Sequence, residues 1–506
     1  FLLAAALIAG LVILVAGIVL LKTTPPPAAP SAAPQPARMI AKNPRNVVLV
    51  VIDALRGDRL HAERNAIPLM PHLMDLAKKS IEFTHANATC TWTRPSMASI
   101  LTSLYVDTHK VYYQGNPSNP GDPKASVLSK SFENMASYLK RAGFMTAAVQ
   151  QNGNLCRELG FAEGFDVFDF FKNEMMADEL TSKALERLPS LKEPFFFYVH
   201  YMDPHAPYMP PQKYREMFGW PPAITQKELD IVENKMENSK SGQFIDYLVD
   251  HCEFMTGVKN QRSFEPLSDA AKEASRLLYD GETKFADDEV SKLLDAVLKD
   301  HPNSIIVVLA DHGEHLWDHG HMGHGLTMYE EELRVPFIIY DPDRAPQAID
   351  TEVSTVSMLP TIAALLGLPP NPAWQGHDLL AANAGKEPDT VYSHTYAPYP
   401  YLNTEVEAVK QGNLKLIADR KKNSDLLFDM PNDPGEKNDL ASTRANDVAA
   451  LDKLLGAHKA ANVKAGSHVK EQTAAMSAEV QEQLNKLGYK AGARNGAEQK
   501  AHEPAP

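Results

Sequence analysis

Short apolar runs alternate with amphipathic stretches from about residue 46 onward, and this alternation restricts the possible folds more than any other feature. Runs that are apolar along their whole length and end in polar breaks are typical of strands buried on both faces of a sheet. Such runs lie at 47–52, 146–149, 195–199, 305–309 and 335–339. Amphipathic stretches such as 133–142 and 285–299 predict helices between them. The expected fold class is α/β, a mixed, mostly parallel sheet sandwiched by helices.

Differences in composition divide the chain further. We expect a main domain at 46–384 that contains a polar, helix-rich insertion at 220–290. Candidate strands at 391–395, 405–410 and 413–418 predict a small C-terminal α+β subdomain at 385–465. The segment 466–506 is rich in Ala, Lys, Glu and Gln, and we expect a helix or a tail there. A chain of 506 residues is long enough for one large domain and a small one.

The first 21 residues contain no charged side chain and almost no polar one. Because a helix needs ~20 apolar residues to cross a bilayer, residues 1–21 predict a transmembrane anchor. A signal-peptide core is usually shorter, at ~7–15 residues. The Pro/Ala-rich segment 22–45 predicts an extended linker. The expectation is a single-pass membrane protein in contact with the lipid bilayer, and the charges beside the anchor do not decide its orientation.

The overall charge excludes one class of partner. Lys and Arg number 50 against 64 Asp and Glu, which gives a formal net charge of −14, whereas a nucleic-acid-binding protein needs a basic face. We therefore expect no nucleic-acid partner. The three cysteines, Cys90, Cys156 and Cys252, have neither the number nor the spacing of a disulfide framework or a metal site.

Three of the predicted strands end in residues that can bind a metal. Asp53 follows the first strand, and Asp311 and His312 follow the run at 305–309. Ligands of open α/β sheets bind at the carboxyl ends of strands, so these side chains are expected to converge. Carboxylates with an imidazole suit a divalent ion such as Mg, Mn, Ca or Zn. The strand at 195–199 is followed by three further candidates, His200, Asp203 and His205.

The segment CTWTRPSMASILTS adds a candidate nucleophile. Pro95 is suited to the first turn of a helix, which places Thr93 and Arg94 at the helix start, where backbone N–H groups stabilise an anion. A hydroxyl that faces a metal there could lose its proton and attack phosphorus or sulfur. Alternatively, Thr93 only caps the helix.

These residues belong to a longer set of motifs that resembles the sulfatase branch of the alkaline phosphatase superfamily, in order from about residue 46 to 489. The matching segments are NVVLVVIDALRGDRL, TWTRPSMASILTSLYVDTH, YLKRAGFMTAAV, FFFYVHYMDPHAPY, LADHGEHLWDHGHMGHGLTMYEEELRVPFIIY, VSMLPTIAALLGL, GNLKLI, LLFDMPNDPGEKNDLA and LNKLGY. The resemblance implies the sulfatase-like form of the fold and a metal-dependent ester hydrolase, with the catalytic domain in the periplasm or outside the cell.

The resemblance also implies roles for individual residues. The metal ligands would be Asp53, Thr93, Asp311 and His312, with Thr93 also the nucleophile. His205 and His324 would contact the transferred group or protonate the leaving group. Residues expected to bind the substrate are Asn152, His200 and Asp203. We expect one ion rather than two, because the spacing of Asp203 and His205 differs from the spacing usual in two-metal relatives.

The sequence departs from the family at the nucleophile. Family sulfatases carry a Cys or Ser that is oxidised to formylglycine in a Cys/Ser-x-Pro-x-Arg motif, but here Thr93 and Met97 occupy the first and last positions. Oxidation of threonine would give a ketone, so formylglycine cannot form there. Cys90 with Arg94 imitates the spacing but is out of register. The sulfate-binding Gly-Lys-Trp-His stretch is replaced by QQNGNL, and Ala54 replaces the usual second Asp.

The sequence therefore favours a hydrolase or transferase of phosphate diesters, monoesters or phosphonates that works through a covalent intermediate on Thr93. The substrate would be a phosphorylated or sulfated small molecule, glycan or lipid head group. Two alternatives stay open. One is a true sulfatase that uses Cys90, and the other is a non-catalytic, membrane-tethered scaffold subunit with a membrane-complex partner.

Overall fold

The computed structural model describes residues 39–112, 124–173, 175–232, 267–381, 390–396 and 404–486. The predicted anchor at 1–21 and most of the predicted linker lie outside these residues, as do 233–266 of the predicted insertion and 487–506 of the tail. The predicted domain boundary near 385 falls in the undescribed segment 382–389, so the domain boundaries stay predictions.

The described residues form nineteen strands and twelve α-helices. The strands are β1 (Asn46–Ile52), β2 (Glu63–Arg64), β3 (Ile67–Pro68), β4 (Ile81–Asn87), β5 (Lys124–Ser126), β6 (Met145–Gln150), β7 (Val167–Phe170), β8 (Phe195–Tyr201), β9 (Ser304–Leu309), β10 (His315–Leu316), β11 (Met322–Gly323), β12 (Arg334–Val335), β13 (Phe337–Tyr340), β14 (Gln347–Ser354), β15 (Val391–Tyr396), β16 (Glu405–Gln411), β17 (Leu414–Asp419), β18 (Ser424–Asp429) and β19 (Thr473–Ala475). The helices are α1 (Pro71–Ala77), α2 (Thr93–Thr102), α3 (Val106–His109), α4 (Met135–Arg141), α5 (Ala177–Arg187), α6 (Gln212–Met217), α7 (Gln226–Val232), α8 (Asp269–Asp300), α9 (Glu330–Leu333), α10 (Met358–Leu365), α11 (Ala445–Ala465) and α12 (Ala478–Lys486).

Nine strands form the central sheet, in the order β12-β4-β13-β9-β1-β8-β6-β7, with β14 also paired to β4. The middle of the sheet is parallel, because β1 runs parallel to both β8 and β9, and β6 runs parallel to β7 and β8. Strand β13 is antiparallel to both of its neighbours, β9 and β4. The expected α/β class with a mixed, mostly parallel sheet is confirmed.

The central strands are buried along their whole length. Every residue of β1, β8 and β9 is buried, so both faces of the sheet are covered at these positions. This burial accounts for the continuous apolar runs in the sequence, since a strand covered on both faces has no solvent side for polar residues. Of the five predicted strands, the run at 335–339 is divided at Pro336, which has no N–H to donate to a sheet.

Two strands of the sheet lack a clear signal in the sequence. Strand β4, IEFTHAN, alternates apolar and polar residues, and β14, QAIDTEVS, is mostly polar and only partly buried. The pairing of β14 with β4 also shifts register between Ile349 and Glu352. Because neither segment is a continuous apolar run, the pattern that identified the central strands does not identify them.

A second sheet of four antiparallel strands lies in the C-terminal part, in the order β15-β16-β17-β18. Both of its faces carry apolar side chains. On one face Val409 and Leu416 pack with Leu451 and Leu455 of α11. The side chains that pack together on the other face are Met328, Tyr329, Leu333, Val406, Ala408, Ile417 and Phe428. The small sheet therefore packs against the segment around α9.

Buried ion pairs strengthen this contact. The ammonium of Lys415 lies 2.7 Å from Glu330 Oε1 and 2.6 Å from Glu436 Oε1, and its side chain is completely buried. Lys410 Nζ lies 2.7 Å from the other oxygen of Glu330. Although burial opposes the charge on Lys415, the two carboxylates raise its pKa above the usual range. The two lysines thus tie β16 and β17 to the first residue of α9.

The localisation expected from the sequence is contradicted. Among the residues that the structure describes, no helix has both the length and the apolar character needed to cross a membrane. The longest of them, α8, has 32 residues but carries charged side chains along its length, including Glu282, Lys284 and Asp287. The prediction of a single-pass membrane protein with a periplasmic or extracellular domain is withdrawn.

We predict that Lys415→Met lowers the free energy of unfolding by about 3 kcal/mol, because Glu436 would lose its buried partner and Glu330 one of two. Urea denaturation followed by circular dichroism measures the change. Lys421→Met is the matched control, since Lys421 pairs with Glu405 but its side chain is 42% exposed, and it should cost less than about 1 kcal/mol. Equal losses in the two variants would contradict the prediction.

Candidate functional site

The order of the strands brings the candidate residues together. Strands β9, β1 and β8 are neighbours in the sheet and run in the same direction, so their carboxyl ends meet at one edge. Asp53 follows β1 directly, Asp311 lies two residues after β9, and His200 is the penultimate residue of β8. One ligand atom from each of these three residues lies within 4.8 Å of the others, and all three residues are fully buried.

His312 adds a fourth side chain to this cluster. Its Nε2 lies 3.4 Å from Asp53 Oδ1 and 3.5 Å from Asp311 Oδ2. Its Nδ1 lies 2.8 Å from the carbonyl oxygen of Gly313, which can only accept, so Nδ1 carries the proton. Burial, together with the neighbouring His324, lowers the pKa of His312 to about 3. The ring is therefore neutral, and its Nε2 lone pair faces the two carboxylates.

Asp53 is held by two donors on one of its oxygens. Asn152 Nδ2 donates to Asp53 Oδ2 at 2.6 Å, and His200 Nε2 donates to the same oxygen at 3.0 Å. The Nδ1 of His200 in turn accepts from the hydroxyl of Tyr198 at 2.7 Å. Although burial alone would raise the pKa of Asp53, the hydrogen bond from His200 and the nearby imidazoles lower it overall. Asn152 and His200, both predicted to bind substrate, thus contact Asp53.

Asp311 is held by backbone donors. Its Oδ1 accepts from the N–H of His312 at 3.0 Å and from the N–H of Ala54 at 3.3 Å. Burial and the charge of Asp53 raise the pKa of Asp311 well above its usual value. Ala54 has a positive φ of 56°, a conformation that costs a residue with a side chain roughly 1–2 kcal/mol. The turn after β1 is thus strained at Ala54, and this conformation directs the N–H of Ala54 to Asp311.

The arrangement of potential ligand atoms in Asp53, Asp311 and His312 fits a divalent ion. Asp53 Oδ1 and Asp311 Oδ2 are buried and have no hydrogen-bond partner among the described residues, and both lie beside His312 Nε2. Four ligands about 2.1 Å from a tetrahedral ion lie about 3.4 Å from one another. The distances of 3.4 and 3.5 Å from His312 Nε2 to the two carboxylate oxygens match this spacing. Unpaired carboxylate oxygens and an imidazole lone pair at this spacing are the groups that a bound cation needs.

Thr93 lies beside these potential metal ligands, at the start of helix α2. Its Oγ1 is 3.4 Å from His312 Nε2, and the residue is completely buried. The N-cap of the helix is Trp92, with extended backbone, and no side chain caps the helix. Thr93 therefore does not act as the helix cap, which was the alternative role for it. Ser96, one turn further on, donates its hydroxyl to the carbonyl of Asp311 at 2.5 Å and joins the helix to the strand end.

Two further histidines lie over the cluster. The ring of His324 is 4.3 Å from that of His312 and 4.9 Å from that of His205, measured between centroids. Nδ1 of His205 donates to the carbonyl of Ala206 at 2.6 Å, and burial lowers the pKa of His205. Nδ1 of His324 lies 3.1 Å from Glu314 Oε1. Burial lowers the pKa of His324 to about 4 and raises that of Glu314 to about 7.

Among the described residues, no hydrogen bond or ion pair links Asp203 to this cluster. It is buried, and the nearby backbone N–H groups of Asp203 itself and of Ala177, the first residue of α5, oppose the rise of its pKa. Burial and the charge of Asp178 raise its pKa to about 7. Its role as a substrate-binding residue stays a prediction without a supporting contact.

The sequence argument missed three residues that contact the site. Glu314 pairs with His324, Tyr198 fixes His200, and Ser96 binds the backbone of Asp311. Tyr198 lies two residues before His200 on a strand, so strand periodicity places both on the same face and could have indicated it. Glu314 lies two residues after His312, within one of the motifs that resemble the sulfatase family.

The comparisons with known proteins agree with this fold. A family model described as Sulfatase matches residues 45–368. Curated relatives include the uncharacterized sulfatase YidJ of Escherichia coli K12, 26% identical over 52% of this chain and 51% of that protein. The arylsulfatase of Clostridium perfringens is 25% identical over 59% of this chain and 68% of that protein. The match thus spans about half the length of YidJ.

Solved structures extend the likeness to most of the fold. The phosphonate monoester hydrolase of Agrobacterium radiobacter superposes with a TM-score of 0.64 at 19% identity, over 83% of this chain and 96% of that one. BT4656, solved with its substrate D-glucosamine-2-N,6-O-disulfate, has a TM-score of 0.64 at 18% identity, over 83% and 98%. At such identities the superpositions establish the fold alone. The family model covers well over half of the chain, and the chain belongs to the sulfatase family.

Proposed function

We propose that this sulfatase-family hydrolase acts on phosphate diesters, monoesters or phosphonates, through a covalent intermediate on Thr93. The observation that carries the proposal is the position of the Thr93 hydroxyl, which is buried at the first residue of α2 and 3.4 Å from His312 Nε2. A nucleophile beside a cation site and at a helix N-terminus faces groups that stabilise negative charge. Release of the intermediate to water gives a hydrolase, and release to an alcohol gives a transferase.

The identity of the nucleophile favours phosphoryl over sulfuryl transfer. A threonine cannot be oxidised to formylglycine, the group with which family sulfatases attack sulfate. The rival nucleophile, Cys90, is completely buried and donates to Thr395 of the C-terminal sheet at 3.4 Å. Burial raises the pKa of the Cys90 thiol to about 12, so the thiolate is not populated at neutral pH. These contacts support Thr93 rather than Cys90.

A divalent ion held by Asp53, Asp311 and His312, with Thr93 in the fourth position, would act as a Lewis acid and lower the pKa of the Thr93 hydroxyl. In the first step the Thr93 hydroxyl gives its proton to a water molecule and Oγ1 forms a bond to phosphorus, while the bond from phosphorus to the leaving oxygen breaks. The backbone N–H groups at the start of α2 face the phosphoryl oxygens as they gain charge.

Glu314 and His324 supply the proton for the leaving alcohol. Because Glu314 is the more basic of the two, the pair keeps its shared proton on the carboxyl near neutral pH, and Glu314 donates to His324 Nδ1. The ring then carries its own proton on Nε2. Transfer of the Nε2 proton to the leaving oxygen is accompanied by transfer of the Glu314 proton to Nδ1, so no charged imidazolium is left buried.

His205 is suited to the second step. Its Nδ1–H is used by the carbonyl of Ala206, so Nε2 is the nitrogen with the lone pair, and the low pKa keeps the ring neutral. It would take a proton from the water or alcohol that attacks the phosphothreonine. The bond between phosphorus and Thr93 Oγ1 then breaks, and Thr93 Oγ1 takes the proton that His205 received. The pair of Glu314 and His324 regains from water the proton that it gave to the leaving alcohol.

The test of the proposal compares turnover of an aryl phosphate, a bis-aryl phosphate, an aryl phosphonate and an aryl sulfate in the presence of Mn²⁺. We expect turnover of at least one phosphorus substrate, a loss of roughly 10³-fold or more in Thr93→Ala, and partial activity in Thr93→Ser. Thr91→Ala is the control, since Thr91 is equally buried two residues earlier and should stay near wild type. Sulfate turnover that survives in Thr93→Ala but disappears in Cys90→Ala would overturn the proposal.

The relay predicts a dependence on the leaving group. His324→Ala and Glu314→Ala should slow alkyl or phenyl esters by about 10²-fold or more, because these leaving oxygens need a proton. The p-nitrophenyl esters leave without one and should slow only a few-fold. His205→Ala should instead accumulate phosphothreonine, which intact-mass spectrometry detects. Equal slowing of both ester classes by His324→Ala would exclude it as the general acid.

The cation site predicts a stability effect that does not depend on turnover. Saturating Mn²⁺ should raise the melting temperature of the chelator-treated protein, because binding at 100 times the dissociation constant adds about 2.7 kcal/mol. In Asp311→Asn this increase should disappear. Asp343→Asn removes a largely exposed carboxylate elsewhere and should keep the full increase. Differential scanning fluorimetry measures all three, and an unchanged increase in Asp311→Asn would rule out the assigned ligand.

A further inference from the structure

A second group of potential metal ligands lies in the hairpin that follows the candidate active site. Strands β10 and β11 pair His315 with Gly323 and Leu316 with Met322, and the turn between them carries His319 and His321. Glu331 of α9 faces this turn, with its Oε1 2.8 Å from His319 Nδ1. We call His315, His319, His321 and Glu331 the histidine cluster. It shares no residue with the Asp53–Asp311–His312 site.

The spacing of the histidine cluster is that of a metal site. One ligand atom from each of His315, His319 and Glu331 lies within 4.8 Å of the other two. Ligands around a tetrahedral zinc ion are about 3.4 Å apart, so a shift of about an ångström or less in each side chain would complete the coordination. His321 is next to them, with its ring centroid 5.5 Å from that of His315, and can occupy the fourth position.

Hydrogen bonds fix the nitrogen that His315 presents. Thr327 donates its hydroxyl to Glu332 Oε2 at 2.8 Å, so its Oγ1 can only accept from His315 Nε2, 2.6 Å away. The His315 proton is therefore on Nε2, and Nδ1 has a bare lone pair. This Nδ1 is buried and has no hydrogen-bond partner among the described residues. A buried lone pair without a donor is unfavourable in a satisfied core and is accounted for by a bound cation.

His319 is oriented in the same way. Its Nε2 lies 3.2 Å from the carbonyl oxygen of Glu436, which can only accept, so Nε2 carries a proton and Nδ1 faces Glu331. Its ring stacks on Tyr329 with centroids 3.8 Å apart and planes at 8°. In known sites a histidine ligand typically donates its second nitrogen to a carbonyl or carboxylate, which holds the ring in place. The second nitrogen of His319 is held in this way by the carbonyl of Glu436, and that of His315 is held by the hydroxyl of Thr327.

We propose that the histidine cluster is a second divalent-metal site, selective for a borderline ion such as Zn²⁺, with ligands His315 Nδ1, His319 Nδ1 and the Glu331 carboxylate. Zn²⁺ binds readily to two imidazoles and one carboxylate, whereas Mg²⁺ and Ca²⁺ prefer oxygen ligands. The bound ion replaces the proton between His319 and Glu331, which is released to solvent.

The position of the site gives it a structural role in the reaction. Glu314 and His324, the two members of the proton relay, lie immediately on either side of the hairpin. An ion that joins the hairpin to Glu331 of α9 would hold both ends of the relay at their present separation. The ion itself would not touch the substrate.

The experiment measures zinc in the full chain after treatment with chelator and reloading with Zn²⁺. Crystals of the loaded protein should show an anomalous peak between His315, His319 and Glu331 at the zinc edge. Mass spectrometry of the metal content should show one zinc per chain fewer in His315→Gln than in wild type. Asp311→Asn should keep this zinc, so the failure of either site can be told apart. The control, His61→Gln, removes a histidine paired with Glu82 outside any cluster and should leave the zinc content unchanged.

The side chain introduced by His315→Gln can still donate to Thr327, and Glu331→Gln keeps the shape of the side chain. Either variant therefore tests the site, provided that it folds. In wild type, Zn²⁺ bound at the histidine cluster should raise the melting temperature, and each variant should lose this increase. The melting temperature of each variant without metal shows whether it folds. The absence of an anomalous peak at the histidine cluster, or a zinc content in both variants equal to wild type, would overturn the proposal.

Discussion

Two carboxylates, Asp53 and Asp311, are buried at neighbouring strand ends, and the rest of the site depends on this arrangement. Like charges about 4 Å apart repel by about 4 kcal/mol even at an effective dielectric constant of 20. The surrounding donors offset only part of the repulsion, since His200 and Asn152 bind one oxygen of Asp53 and two backbone N–H groups bind one oxygen of Asp311. The remaining oxygens both lie beside His312 Nε2, and a cation bound there would make this arrangement favourable.

The backbone shows what is needed to keep those carboxylates in place. Ala54 has a left-handed conformation directly after Asp53, and its N–H and carbonyl are both held, by Asp311 and by the hydroxyl of Tyr279. Strained backbone persists only where the surrounding contacts determine it, and such positions are common at active sites. Ser96 of α2 in turn binds the backbone of Asp311, which fixes the start of the helix beside the strand ends. The position of Thr93 thus depends on the hydrogen bond that joins α2 to the segment after β9.

The sequence was most informative where one physical rule acts alone. Continuous apolar runs identified the central strands, and their carboxyl ends predicted the meeting of Asp53 and Asp311. Thr93 could only be interpreted with the family resemblance, because a threonine at a helix start is usually a cap. His200 lies within β8 and Asp203 follows that strand, but Asp203 is buried near Ala177 at the N-terminus of α5, a proximity between distant segments that the sequence pattern does not show. Glu314 was missed for the same reason, since its partner His324 is placed by the hairpin.

The C-terminal sheet has a mechanical connection to the proton relay. Lys415 of β17 binds Glu330, the first residue of α9, in a buried ion pair. The next residue, Glu331, accepts the backbone N–H of Glu314 at 2.8 Å through its carbonyl and holds His319 through its carboxylate. A proton moves between two heavy atoms efficiently only over a short, fixed distance. The pairing of Glu314 with His324 therefore depends on contacts that run from the small sheet through α9. In the proposed reaction this dependence would give that sheet a role in proton transfer, although none of its described residues contacts the Asp53–Asp311–His312 site.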